Sequence, residues 1–160
     1  MVTHHADAVR AWSAAASVVD PEVPVLSIDD LGVLREVKVT DDGVEVVITP
    51  TYSGCPAMDA IREDVVRALT SAGFDDVRVR LSLSPAWTTD WISAAGRSAL
   101  RDYGIAPPSS TGTVRLRMSV KCPHCDSLDT REVAHFGSTS CKALFVCNAC
   151  HEPFDHFKAL

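Results

Sequence analysis

Apolar and polar positions alternate along this chain with periods that change every ten to fifteen residues. Val9, Trp12, Ala16 and Val19 fall at helical spacing and predict an amphipathic helix over 7–19 with those side chains inward. Asp20-Pro21-Glu22-Val23-Pro24 should stop it, because proline disfavours a helical conformation in the residue before it. Residues 33–39 and 44–49 read as two strands. Asp42-Gly43 between them is a hairpin signal, since glycine accepts the positive φ of a tight turn. Met58, Ile61, Val65 and Leu69 share one face of a second helix, which Pro56 opens and Gly73 closes. Strict alternation of Val77, Val79, Leu81 and Leu83 with Arg78, Arg80 and Ser82 predicts a half-buried strand over 77–83.

A third helix is expected from about Asp90 to Tyr103, with Thr88 or Thr89 as N-cap and Gly104 just past its end. Residues 107–112 (PPSSTG) have the composition of a linker. Beyond it Val114, Leu116, Met118 and Val120 alternate with polar residues in a strand running into Cys122, and 143–147 (ALFVC) form a second short apolar run. The expected fold class is α+β. A small α-β-β-α-β-α domain with a three-stranded sheet fills 1–106, followed by a zinc-ribbon-like β knuckle domain over 113–160.

Cysteine spacing carries the clearest chemistry. Cys122-Pro-His-Cys125 and Cys147-Asn-Ala-Cys150 are two C-x-x-C knuckles 21 residues apart. Each bends the chain so that two thiolates face one ion, and together they supply the four tetrahedral ligands that zinc prefers. Iron or an iron–sulfur cluster is the rival, since four thiolates accept either. A 48-residue segment with so few large apolar side chains needs such a staple to fold. His124, His151 and His156 are read as solvated or neighbouring side chains rather than ligands, and Cys141 as a small buried residue.

Cys55 stands apart, in Ser-Gly-Cys-Pro ahead of the second helix. The N–H groups at a helix start lower a thiol's pKa and stabilise thiolate, so Cys55 is expected to be activated there. A nucleophile, a transient metal ligand and a buried cysteine under a turn all fit the residues. Asp20 and Glu22 could offer carboxylates at the same end of the sheet but read first as solvated acids. Trp87 and Trp91 read first as core.

Composition narrows the functions. With 160 residues, 46% hydrophobic and 22% charged, the chain is an ordinary folded one. Residues 1–112 carry nine basic against sixteen acidic side chains, and 113–160 six against five. Neither is the basic footprint that nucleic acids select. No apolar run reaches the length of a membrane span and the start lacks a secretory pattern, so a cytoplasmic protein is expected. No Ser-His-Asp order, phosphate-cradling loop or di-iron Glu-x-x-His pair is present, and the chain is expected not to be catalytic itself.

Asp20-Pro-Glu-Val-Pro24, Asp30-Leu-Gly-Val33 and Thr51-Tyr-Ser-Gly-Cys-Pro56 resemble the motifs of the SufT-type iron–sulfur-assembly domain family over about residues 7–104. Leu83-Ser-Pro-Ala-Trp-Thr-Thr-Asp-Trp91, Tyr103-Gly-Ile-Ala-Pro-Pro108, Phe136-Gly-Ser-Thr-Ser-Cys-Lys-Ala143 and Pro153-Phe-Asp-His-Phe-Lys158 extend the likeness to the PaaD family. That family provides a small accessory subunit of the ring 1,2-phenylacetyl-CoA epoxidase of aerobic phenylacetate breakdown. The resemblance implies a maturation factor for an iron or iron–sulfur centre of the epoxidase. Cys55 would be the assembly thiol, taking iron or a cluster transiently, with Asp20 and Glu22 in its acidic turn. Cys122, Cys125, Cys147 and Cys150 would hold structural zinc. The implied partners are the other epoxidase subunits, above all the iron–sulfur flavin reductase, with no nucleic acid and no membrane; a homodimer stays open. A purely structural docking subunit, without metal transfer, is the alternative.

Overall fold

The computed structural model describes residues 2–109 and 119–159. By its contacts the chain divides between Trp87 and Thr88 into two compact units. The expected linker over 107–112 and the strand expected over 114–121 lie partly outside the described residues, which omit 110–118.

The first unit contains α1 (Val2–Ala16), β1 (Leu34–Thr40), β2 (Gly43–Ile48), α2 (Ala57–Ser71) and β3 (Val77–Leu81). Its sheet has the order β1-β2-β3, with β2 antiparallel to β1 and parallel to β3. The central strand is the apolar one: Val44, Val46, Val47 and Ile48 are buried. α2 crosses over between β2 and β3 and contributes Met58, Ile61, Val65 and Leu69 to the core, as its periodicity predicts. Burying each such side chain contributes about 2 kcal/mol. Gly43 is required at its turn. Its φ is +129°, and a Cβ there would lie 2.3 Å from the Asp76 carbonyl oxygen, which accepts from the Val44 N–H.

α1 turns a different face inward from the one expected. Ala11, Ala15 and Val18 are buried, while Val9, Trp12 and Val19 are 55%, 37% and 47% exposed. Alanine's short side chain lets a helix approach its neighbours closely, whereas valine and tryptophan on that side would hold it off. Trp12 instead hydrogen-bonds the Asp29 carboxylate with its side chain, and Val19 lies beyond the helix, bridged to Ser27. β3 also stops short of its pattern, since its partner β2 ends at Ile48, opposite Leu81, and Leu83 is exposed. Trp87, the last residue of this unit, is core, its indole donating to the Leu31 carbonyl.

In the second unit the expected long helix is broken. A 3-10 turn, Thr89–Trp91, is capped by Thr88, whose hydroxyl accepts from the Asp90 N–H. Extended backbone at Ile92 and Ser93 follows, and α3 (Ala94–Asp102) starts anew with the Ser93 hydroxyl accepting from Gly96 N–H at 2.9 Å. Ser93 is thus the effective cap. Gly104 closes the helix at φ +87°, as expected.

β4 (Ile105–Ala106), β5 (Thr130–Ala134), β6 (Lys142–Cys147) and β7 (Pro153–Phe157) form a second sheet of order β4-β7-β6-β5. β4 runs parallel to β7; the other pairings are antiparallel. Around the cysteines the unit buries a cluster of six, Ala106, Cys122, Ala143, Phe145, Cys147 and Phe154, with Ile105, Cys141 and Phe157 buried as well. Two of those six are candidate ligands. Among the described residues no helix is long and apolar enough to cross a membrane.

Candidate functional site

The two knuckles are built by the same backbone device. In the first, Cys122 N–H donates to Ser127 O and Asp126 N–H to Cys122 O; in the second, Cys147 N–H donates to Glu152 O and His151 N–H to Cys147 O. The residue after each closing cysteine has a left-handed backbone, with φ of 62° at Asp126 and 67° at His151. Each chain segment therefore folds back on itself and leaves its two thiols on the inside of the bend. The outcome is one cluster: the sulfurs of Cys122, Cys125, Cys147 and Cys150 all lie within 4.8 Å of one another.

Its dimensions fit a metal. Cys122 Sγ to Cys150 Sγ is 3.8 Å and Cys125 Sγ to Cys147 Sγ 3.5 Å. A tetrahedral ion with metal–sulfur bonds of about 2.3 Å needs sulfurs about 3.8 Å apart. A disulfide would need about 2 Å, and all six cysteines are free.

The electrostatics of four crowded thiols point the same way. The backbone N–H groups of Cys150 and Ala149 draw the Cys147 thiol down to about 6. Against the N–H of Ser127, burial and the thiols of Cys147, Cys150 and Cys122 push Cys125 up to about 12. Against the N–H of Glu152, Cys150 also rises, through burial and the thiols of Cys147 and Cys122. One thiolate suppresses the ionisation of its neighbours, and a divalent cation removes that opposition by replacing the protons.

The histidines stand outside this cluster, which consists of cysteines alone among the described residues. His124 lies edge-on to Phe154 with its ring 6.5 Å away. His151 serves through its backbone. His156 is half-buried with Nδ1 3.2 Å from Ala106 O, and burial lowers its pKa. Cys141 is buried with its sulfur 3.0 Å from the Thr139 hydroxyl.

The Cys55 turn belongs to the first unit. Cys55 N–H donates to Tyr52 O, and Met58 N–H to Cys55 O, both at 3.3 Å. Gly54 takes a φ of +80° with open space where a Cβ would stand. Pro56, already helical in backbone, leads into α2 without a side-chain cap. The Cys55 sulfur takes that place, accepting from Ala57 N–H.

The expected activation does not follow. Burial is the largest influence on the Cys55 thiol and raises it, and the charges of Glu22 and Asp20 add to the rise. The Ala57 N–H and a side-chain hydrogen bond from Tyr52 act in the lowering direction and are outweighed. The helix-start donor and the nearness of Asp20 and Glu22 that the sequence foretold are present; the sequence could not give the depth of the thiol or that burial and these charges together outweigh the donors.

Those carboxylates are also less solvated than expected. Asp20 is 5% exposed, and its Oδ1 accepts from Glu22 N–H at 2.7 Å and Val23 N–H at 3.0 Å. It ties the Asp-Pro-Glu turn together, and Glu22 is carried half-buried on that turn. Sequence reasoning missed Tyr52; its place three residues before Cys55, at the first position of the turn, was the available signal.

Comparison with known proteins matches residues 9–86 to the family model described as an iron-sulfur cluster assembly protein, and residues 106–158 to the PaaD zinc beta ribbon domain. The chain is 46% identical over 150 residues to the D subunit of 1,2-phenylacetyl-CoA epoxidase of Escherichia coli (strain K12), covering 93% of this chain and 91% of that one. It is 42% identical over 79 residues to an Fe-S protein maturation auxiliary factor of Porphyromonas gingivalis (strain ATCC BAA-308 / W83), over 48% of this chain and 74% of that one. A crystal structure of a domain of unknown function, DUF59, from Bacillus anthracis matches 62% of this chain and 95% of its own with a TM-score of 0.58 at 24% identity, a likeness of fold.

Proposed function

The chain belongs to the PaaD family of 1,2-phenylacetyl-CoA epoxidase subunits, and from that premise we propose that it is a non-catalytic, cytoplasmic maturation factor that delivers iron or an iron–sulfur cluster to another subunit of the epoxidase. The observation that carries this reading is the Cys55 turn. One half-buried thiol, a backbone N–H and the acids of the Asp-Pro-Glu turn converge in a unit that matches iron–sulfur assembly proteins.

The cargo binds at Cys55 by displacing the thiol proton. Because burial and the charges of Glu22 and Asp20 raise this thiol, the proton competes with the metal, and the hold is reversible. The same acids favour a cation beside the sulfur. A carrier needs both properties. The client is the iron–sulfur reductase or the oxygenase subunit, and a dimer of this chain could share a cluster between two Cys55 thiols.

The second unit holds a resident ion, which we assign as zinc, through Cys122, Cys125, Cys147 and Cys150. Zinc there supplies folding free energy and no redox chemistry. The two-domain reading goes with this, with the boundary drawn by the contacts rather than at the expected 107–112 linker: an assembly domain up to Trp87 and a ribbon unit from Thr88 that includes β4.

The test is Cys55→Ala in cells that depend on the epoxidase. The variant is expected to keep its zinc and its place in the complex while epoxidase activity and client iron content fall. Unchanged activity and client iron would reject the maturation role and leave a docking subunit.

A further inference from the structure

The sheet of the first unit ends in two edge strands that differ in kind. β1 carries a bulge between Leu34 and Glu36 and the mixed charges of Arg35, Glu36 and Lys38, devices that keep an edge from pairing with another chain. β3 has no bulge, and its charges, Arg78 and Arg80, are of one sign. Among the described residues its one strand neighbour is β2, which it joins in regular register from Val77 to Leu81. At the two ends of that ladder, Val44 N–H donates to Asp76 O at 3.1 Å and Ser82 N–H to Ile48 O at 2.9 Å. Successive residues of a strand turn their backbone groups to opposite sides, so the even-numbered residues of β3 face β2. The N–H and C=O groups of Val77, Val79 and Leu81 therefore point away from it, along the open edge.

The side chains along this edge have two characters. On the core face Val77, Val79 and Leu81 stand beside Val44, Val46 and Ile48. Those three β2 side chains are buried, whereas Val77 and Val79 are half-buried, Leu81 is 38% exposed and Leu83, next in the row, 67%. On the other face Arg78 and Arg80 are exposed. The Arg80 guanidinium pairs with Glu45 of β2 at 3.1 Å, and Arg78 has no ion pair among the described residues. We propose that the open edge of β3 is a docking site for an extended segment of a partner polypeptide in which apolar and acidic residues alternate. Added as a further strand, such a segment pairs its backbone with Val77, Val79 and Leu81. Its apolar side chains cover the half-exposed row, and its carboxylates stand beside Arg78 and Arg80 as Glu45 does on the inner side. A second copy of this chain fits worse. Two β3 strands overlapping along their full length, antiparallel about Val79, put Arg78 opposite Arg80 twice, and like charges so placed are destabilising. The docking site does not depend on what Cys55 carries.

The experiment follows amide exchange residue by residue in the full-length, zinc-replete protein. It is run alone and with an end-blocked peptide of about seven residues alternating valine and glutamate, with a valine–lysine peptide as control. In the protein alone, Val79 and Leu81 are expected to exchange fast and Arg78, Arg80 and Ser82 slowly. The acidic peptide is expected to slow Val79 and Leu81 by on the order of tenfold, and the basic one to leave them unchanged. Arg78→Glu, which breaks no ion pair among the described residues, should weaken the effect of the acidic peptide and give the basic one an effect of its own. Unaltered slow exchange in β2 shows that this variant keeps its sheet. Slow exchange at Val79 and Leu81 in the chain alone, at every concentration, would mean that the chain covers its own edge. Slowing that sets in as protein concentration rises would assign the edge to a second copy. Either result overturns the proposal, as does a peptide effect that is absent or indifferent to charge. Iron binding at Cys55 is read separately, so the cargo reading stands or falls apart from these outcomes.

Discussion

The two units of this chain use cysteine in opposite ways. In the second, four thiols meet beside a cluster of six buried residues, two of which are themselves candidate ligands, Cys122 and Cys147. Besides Phe145, Phe154 and Phe157 the strands β5, β6 and β7 bury few large apolar side chains, so an ion at the four thiols would carry much of what holds them together. In the first, Cys55 stands at the rim of a core that includes Leu26, Ile28, Leu31, Val46, Ile48, Ile61, Val65 and Leu69 and owes nothing to any metal. A resident ion demands a closed ligand set; a cargo demands a site that folds when empty. The difference teaches which cysteine can be spared by the fold and which cannot.

The comparison breaks most sharply at Cys147. Cys147→Ser is expected to lose the metal and, with it, most of the folding free energy of the second unit, where zinc binding at such sites supplies on the order of 10 kcal/mol. Hydrogen exchange should then show unprotected amides in β6 and β7 and native protection in β1 to β3. Equal loss in both units would refute their independence. Next in size, Ile61→Ala should cost about 2–5 kcal/mol by opening a cavity under α2, read by denaturant unfolding, with metal content unchanged.

The smallest effect is a pH dependence. Burial holds His156 below its ordinary 6.5, so the unfolded chain binds its proton first as pH falls. Stability from this residue is present above 6.5 and is lost as pH drops through 6.5 toward the folded value. His156→Gln should flatten that slope at saturating metal; an unaltered slope would mean the acid sensitivity belongs to the thiols alone.

Much of this was legible beforehand because periodicity and spacing are local. The α2 face, the β1–β2 hairpin at Asp42-Gly43 and the convergence of four cysteines each follow from residues close in sequence or from a known ligand pattern. The errors came where size or depth decides. Val9, Trp12 and Val19 have the right spacing for a buried face, yet the alanines beside them pack closer. Ser93 competes with Thr88 as a cap, and only the extended backbone at Ile92 settles which one starts α3. β4, β5 and β7 were missed because β4 is two residues long, β5 buries none of its side chains fully and β7 mixes Asp155 and His156 among its phenylalanines. At Cys55 the sequence announced the helix-start donor and the nearby Glu22 and Asp20 but was silent on the burial that, with their charges, raises the thiol.

The raised thiol has a chemical consequence. Peroxide attacks thiolate and scarcely touches thiol. Burial and the facing acids favour the protonated form of Cys55, so on the proposed carrier reading the empty thiol is a poor target for peroxide, and what the acids take from its avidity they return as resistance to oxidation.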